Sequence, residues 1–150
     1  MLRKKIYIAS DHAGYELKTK LCAFFESENL SYDDLGVHTN QCCDYADYAH
    51  ELASKIDDDS FGVLVCGSGI GVSIAANRHS GIRCALCSET LSAKLARKHN
   101  DANVIALGGR LIGADLAVDI VNEFINTNFE GGRHLQRISK IEVDKCLQIG

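Results

Sequence analysis

The sequence predicts an α/β fold: one domain over residues 1–150, with a mostly parallel five-stranded sheet wrapped by helices. Three observations predict it. Short β-rich runs alternate with amphipathic runs of helical length along the whole chain. Residues 62–66 are apolar nearly throughout, as a strand buried on both faces is, and 82–86 reads as another buried strand. No internal repeat, low-complexity segment or linker interrupts the alternation, and 150 residues suit a single core.

The elements follow in order. Residues 5–9 read as the first strand. Asp11-His12-Ala13-Gly14 leads from it into a helix with Leu17, Leu21, Phe24 and Phe25 at helical spacing. A short strand is expected over 31–35. Apolar positions 46, 49, 52, 53 and 56 predict a helix over 45–56. Residues 62–66 form the next strand, followed by a glycine-rich loop and a helix over 72–77. Residues 82–86 are expected as another buried strand. Ser88 is expected to cap the helix after it, with Glu89 in the first turn. Leu91, Leu95 and His99 share one stripe of that helix. Residues 104–107 are the fifth strand, and 113–127 the clearest amphipathic helix, apolar at 116, 117, 120, 121 and 124. Gly131-Gly132 breaks the chain before a C-terminal helix through Leu135, Ile138 and Ile141. Proline is absent, so turns lean on 13 glycines. Crossovers between the parallel strands should be right-handed.

Composition narrows the function. Hydrophobic residues make up 46% and charged residues 24%, an ordinary globular balance. A net charge of −4 gains nothing from a phosphate backbone, which excludes nucleic acid as the expected partner. No segment has the apolar length of a membrane span. Leu2-Arg3-Lys4-Lys5 resembles a charged leader start, but the apolar stretch behind it ends at Asp11, too short for a signal peptide. The expected location is the cytoplasm. Seven cysteines, an odd number, argue against a disulfide framework. Cys84 and Cys87 have zinc-like spacing, but no second pair completes a site, and no metal or cofactor is expected.

In an open parallel sheet, ligands bind beyond the carboxyl ends of the strands. That rule selects Asp11 and His12, Cys66 with its loop, and Gly108-Gly109-Arg110, with His99 and Asn100 expected on the same rim. Cys66-Gly67-Ser68-Gly69-Ile70-Gly71 runs from strand to helix, a turn that aims backbone N–H groups at an anion. Its third glycine comes one residue early for a dinucleotide fingerprint. It lacks the Gly-Lys-Ser/Thr ending of a Walker loop, and Ser68 is too tightly flanked for a nucleophile elbow. A plain tight turn would use the same glycines. Cys66 stands where a thiolate would be favoured, as base or nucleophile, although a buried strand-end cysteine would occupy the same position. His99 sits in a last helical turn, where positive charge is favoured and a proton donor is well placed. Asn100 is also a natural left-handed helix cap. Arg133 and Arg137 are four apart and can grip a phosphate from one helical face, or simply form a solvated basic face. His38, His50 and His79 read as structural or surface residues.

The ordered set Asp11-His12-Ala13-Gly14, Asp44-Tyr45, Cys66 to Gly71, Ala75-Ala76-Asn77-Arg78, Gly81-Ile82-Arg83, Cys87-Ser88-Glu89, His99 to Val104, Gly108-Gly109-Arg110 and Glu130 to Ile138 resembles the ribose-5-phosphate isomerase B family, within the ribose/galactose isomerases. The likeness runs from about residue 5 to 140. It implies a Rossmann-like α/β/α sandwich. It implies an aldose–ketose isomerase that interconverts D-ribose 5-phosphate and D-ribulose 5-phosphate through an enediolate, in the non-oxidative pentose phosphate pathway. The resemblance gives Cys66 the role of base and His99 that of ring opener. Substrate binding falls to Asp11, His12, Tyr45, Gly67, Ser68, Gly69, Ile70, Gly71, Asn100, Arg110, Arg133 and Arg137. It also implies a homodimer or tetramer with each pocket shared between subunits. Ala46 stands where the family usually has proline, Ser68 where threonine is commoner, and Val72 where one branch lacking the cysteine carries glutamate. Cys42-Cys43 has no counterpart in the pattern. Activity on allose or galactose 6-phosphate, or a non-catalytic sugar-phosphate or nucleotide-binding role, are the rival readings.

Overall fold

The fold is taken from a computed structural model that describes residues 4–143. Leu2, Arg3 and Cys146 lie outside the described residues. Five strands and six helices follow one another as β1 Lys5–Ser10, α1 Tyr15–Ser27, β2 Tyr32–Asp34, α2 Tyr45–Lys55, β3 Ser60–Cys66, α3 Ile70–Ala76, β4 Cys84–Leu86, α4 Thr90–Asn100, β5 Val104–Gly108, α5 Ala114–Asn126 and α6 Arg133–Ile138. The sheet is parallel throughout, in the order β2-β1-β3-β5-β4.

β3 lies at the centre and is buried along its whole length. Its register with β1 places Ser10 beside Val65, and its register with β5 places Cys66 beside Gly108. Leu17, Leu21 and Phe25 of α1, Ala93 and Ala96 of α4, and Ala117, Ile120, Val121 and Phe124 of α5 cover one face of the sheet. Ala49, Leu52 and Ala53 of α2 and Val72, Ala75 and Ala76 of α3 cover the other. Each large apolar side chain removed from water in these layers stabilises by about 1.5–3 kcal/mol. The chain leaves β1 toward one edge of the sheet and β3 toward the other. The crevice between their carboxyl ends is therefore the topological switch point.

Two local expectations change. Residues 82–86 do not form a buried strand: β4 is short, sits at the sheet edge and is only half-covered, with Leu86 exposed. The cap of α4 is Glu89 rather than Ser88, its carboxylate accepting from the N–H groups of Leu91 and Ser92 at 2.6 and 2.8 Å. A carboxylate there satisfies two orphan donors and meets the positive end of the helix. The stripe of Leu91, Leu95 and His99 lies toward solvent. Leu91 is 60% exposed, because α4 packs through Ala93, Ala96 and Arg97 instead.

α1 carries a buried charge. Lys18 is 1% exposed, and its Nζ lies 2.6 and 2.7 Å from the two Asp34 carboxylate oxygens and 2.7 Å from the Val37 carbonyl. This ties the end of β2 and the loop behind it to α1. Lys18→Met keeps the stem but leaves Asp34 and the Val37 carbonyl without their donor. The expected loss is about 2–3 kcal/mol of stability, measured as a lower midpoint in urea unfolding with unchanged m.

Candidate active site

The upper rim, at the carboxyl ends of β1, β3 and β5, is built by close backbone approach. Gly109 N–H donates to the Cys66 carbonyl at 2.8 Å, and Arg110 N–H to the Gly67 carbonyl at 3.0 Å, so the exits of β3 and β5 are clamped together. A Cβ on Gly108 would stand 2.8 Å from the Ser68 carbonyl oxygen, and one on Gly14 only 2.5 Å from the Val65 carbonyl oxygen. These glycines let three loops converge.

Cys66 closes β3 and is 4% exposed. Its Sγ accepts a hydrogen bond from Gly69 N–H at 3.1 Å. Gly69 reaches that position with φ at 78°, the left-handed region that glycine enters freely. Ser68 Oγ accepts from Ile70 N–H at 3.2 Å, which bends the loop into α3. Of the amides expected to meet an oxyanion, those of Gly69 and Ile70 thus have acceptors within the loop. The Gly71 N–H heads the first turn of α3, where no intrahelical acceptor exists.

The expected neighbours assemble around this loop. Arg110 lies over Gly67, with Cδ and Nη1 both 3.5 Å from where a Cβ would stand. Tyr45, first residue of α2, sets its ring 2.7 Å from the corresponding point on Gly71. Ala46 falls in the first turn of α2, so the helix starts at Tyr45 without proline. Asp11 is buried and its Oδ1 accepts from Gly14 N–H at 3.0 Å, which shapes the entry to α1. His12 Nδ1 accepts from Cys43 N–H at 3.3 Å, leaving Nε2 to carry the ring proton. A cleft of about 700 Å³ opens along His12, Asn40, Gly109 and Arg110.

His99 and Asn100 are not on this rim. α4 starts above β4 and carries the chain back down, so its last turn meets the amino ends of the strands. There Asn103 accepts from Gly62 N–H at 2.9 Å, and the Arg97 guanidinium lies 4.8 Å from the Phe61 ring. Phe61 is at the far end of β3 from Cys66, about 16 Å away at ~3.3 Å per residue. The sequence pattern placed both groups after helices and strands but could not order the edges. Asn100 is the last helical residue, and the left-handed cap is Asp101, at φ 45°.

The lower edge is braced by arginines. Arg97 is buried, donates to Asp101 Oδ1 at 2.9 Å, the Ala102 carbonyl at 2.6 Å and the Thr127 carbonyl at 3.1 Å. Burial pulls its guanidinium below its ordinary pKa, and Asp101 partly offsets this. Arg83 donates to the carbonyls of Asn100 and Asp101 at 2.9 and 2.8 Å. Arg133 and Arg137 stand exposed on α6, one turn apart. Between them His134 turns inward and stacks on His99, ring centroids 4.5 Å apart and 18° from parallel. Sequence reading places Glu130 and His134 within the motif 130–138 but gives them no role. Their i, i+4 spacing was the available signal, and it gains meaning only once α6 packs on α4.

The remaining cysteines and histidines are placed as follows. Burial pushes the Cys84 thiol up to about 12 and Cys87 up to about 11, which keeps both protonated at neutral pH. His50 and His79 form an exposed pair with ring nitrogens 2.7 Å apart, and His38 is exposed near Asp34.

The model of the ribose/galactose isomerases matches residues 6–141. The chain belongs to the ribose/galactose isomerase family. Relatives of this isomerase agree along nearly the whole length. Ribose-5-phosphate isomerase B of Escherichia coli is 41% identical over 140 residues, 92% of this chain and 94% of that protein. A crystal structure of a ribose 5-phosphate isomerase from Thermotoga maritima matches with a TM-score of 0.90 at 49% identity, covering 92% of this chain and 97% of the other. Ribose-5-phosphate isomerase B of Mycoplasma genitalium, solved with bound ribulose-5-phosphate, matches with a TM-score of 0.88 at 40% identity, covering 91% and 93%.

The isomerase loop depends on Gly69. An added Cβ would stand 2.8 Å from the Leu107 carbonyl carbon and 3.1 Å from Gly108 N. Gly69→Ala is therefore expected to cost about 2 kcal/mol or more and to move the Gly69 amide off the sulfur. Urea unfolding together with the alkylation rate of Cys66 by iodoacetamide checks both effects.

Proposed function

We propose that the chain interconverts D-ribose 5-phosphate and D-ribulose 5-phosphate, at a site formed between two copies of the chain. The observation that carries the reading is Cys66 Sγ, held by the Gly69 amide beside a helix N-terminus at the β1/β3 switch point. The family and the ligand-bound relative from Mycoplasma genitalium support the substrate class.

The chemistry is a proton relocation. Cys66 as thiolate takes the proton from C2 of the open-chain aldose, the electrons move into an enediolate, and the proton returns to C1 as one passes from O2 to O1. Base catalysis of this kind contributes about 10²–10⁴-fold. The Gly71 amide faces the developing oxyanion, the interaction that gains most as charge builds. His99 opens the furanose by giving a proton to the ring oxygen while the anomeric hydroxyl loses its own. Arg110, Arg133 and Arg137 bind phosphate, and Asp11, His12, Tyr45, Ser68 and Asn100 bind the sugar. The step balances without a cofactor, and its place is the non-oxidative pentose phosphate pathway in the cytoplasm.

Two copies are needed because one chain holds Cys66 and His99 at opposite edges. Exposed apolar side chains mark the route of contact: Ile70 and Ile74 on α3, Leu86 at the end of β4, then Leu91 and Leu95 down α4 toward His99. A two-fold pairing along this strip sets the lower edge of each copy against the upper rim of the other.

Cys66→Ala is expected to lower kcat on ribose 5-phosphate by about 10²–10⁴-fold and to abolish solvent deuterium entry at C1 and C2; near-normal turnover would remove Cys66 as the base. Inactive Cys66→Ala and His99→Asn chains, unfolded together and refolded as a mixture, should regain about a quarter of wild-type activity, since half the dimers are mixed and each holds one intact site. No recovery in the mixture would place both groups in one chain's site. Running the same assay on allose and galactose 6-phosphate ranks the substrates.

A further inference from the structure

The lower edge holds a cluster that sugar isomerisation does not require in full. A ring nitrogen of His99, a ring nitrogen of His134 and a carboxylate oxygen of Glu130 all lie within 4.8 Å of one another. Two imidazoles and one carboxylate are the protein ligands of many open zinc sites, which leave a fourth position for another group. Ligand atoms about 2.0–2.1 Å from a tetrahedral metal stand roughly 3.4 Å apart. His134 Nε2 and Glu130 Oε1, at 3.6 Å, already have nearly that separation. The His99 and His134 rings are stacked 18° from parallel, so their nitrogen lone pairs meet one ion only when the half-buried His99 ring turns out of the stack and the exposed Glu130 side chain follows.

A second observation points the same way. His134 is 4% exposed, and its Nε2 is buried without a hydrogen-bond partner among the described residues. A buried ring nitrogen with no partner is costly, and this one is directed at the Glu130 carboxylate. The backbone holds the three groups in place. Glu130 N–H donates to the Lys98 carbonyl at 3.1 Å, and His134 N–H to the Gly131 carbonyl at 3.1 Å. Arg97 Nε donates to the Thr127 carbonyl at 3.1 Å, so the segment joining α5 to α6 is stapled to the last turn of α4 at two points.

We propose that His99, Glu130 and His134 bind a divalent metal ion of the zinc class. The mixed nitrogen and oxygen set favours Zn²⁺, Co²⁺ or Ni²⁺ over Mg²⁺ or Ca²⁺. Arg133 and Arg137 add positive charge nearby, so the fourth position takes an anion, hydroxide or phosphate, rather than neutral water. Metal at this site takes the His99 nitrogen that would otherwise carry the proton given to the ring oxygen, and so inhibits. That consequence rests on the role proposed for His99; the binding does not.

Titration of the chelator-treated full chain with Co²⁺, followed by its visible absorption and by Zn²⁺ competition, tests the site. One metal per chain is expected. Glu130→Gln and His134→Gln are each expected to weaken affinity by more than about 100-fold, beyond the 10–100-fold that follows loss of an outer-shell partner. His50→Ala, at the exposed histidine pair, should leave affinity unchanged. Equal affinity in wild type and Glu130→Gln overturns the site, and that variant decides alone if His134→Gln does not fold. In the same preparations, Zn²⁺ should stop wild-type turnover of ribose 5-phosphate and a chelator should restore it. Bound metal with turnover intact would overturn the role of His99 instead.

Discussion

Because β3 runs parallel to β1 and β5, their carboxyl ends share one edge of the sheet, and every returning helix delivers the chain to the other. Cys66 is the last residue of β3, whereas His99 lies in the last turn of a returning helix. No rotamer spans a distance set by the length of a strand. The chain therefore displays a thiol and a glycine-rich loop above, and an imidazole with two arginines below. The same polarity makes the exposed apolar strip on α3, β4 and α4 intelligible, since it runs between the two edges.

The two edges are made rigid by different physics. Above, glycine allows backbone to meet backbone, and hydrogen bonds between loop amides and carbonyls fix the geometry without side chains. A cysteine can then be placed within 3.1 Å of an amide it would otherwise approach only by chance. Below, buried guanidinium groups do the work. Arg97 lies against the rings of Phe61 and Phe124 while its N–H groups satisfy carbonyls that a helix end leaves open. Arg83 does the same for Asn100 and Asp101. The stacked histidines inherit their order from this frame.

Much of this was legible in the residues. The period of apolar positions marked α2 and α5 closely, and the uniform burial of β3 follows from its unbroken apolar run. The glycines of 66–71 announced a turn into a helix, and their spacing excluded nucleotide loops. The 82–86 error has a physical cause: the run reads as buried from its apolarity alone. Apolar residues at a sheet edge or on a surface strip have the same local pattern as core residues, and only their neighbours distinguish them.

The sequence by itself determined the order of elements, the parallel sheet and the family, because these depend on local periodicity and on which side chains are present. Tertiary structure alone decided three things. It separated Cys66 from His99, because strand order and direction are properties of the whole sheet. It turned Leu91 and Leu95 outward, because α4 packs through alanines. It brought Glu130 and His134 to His99, because α6 docks on α4 through contacts between segments some thirty residues apart in the chain.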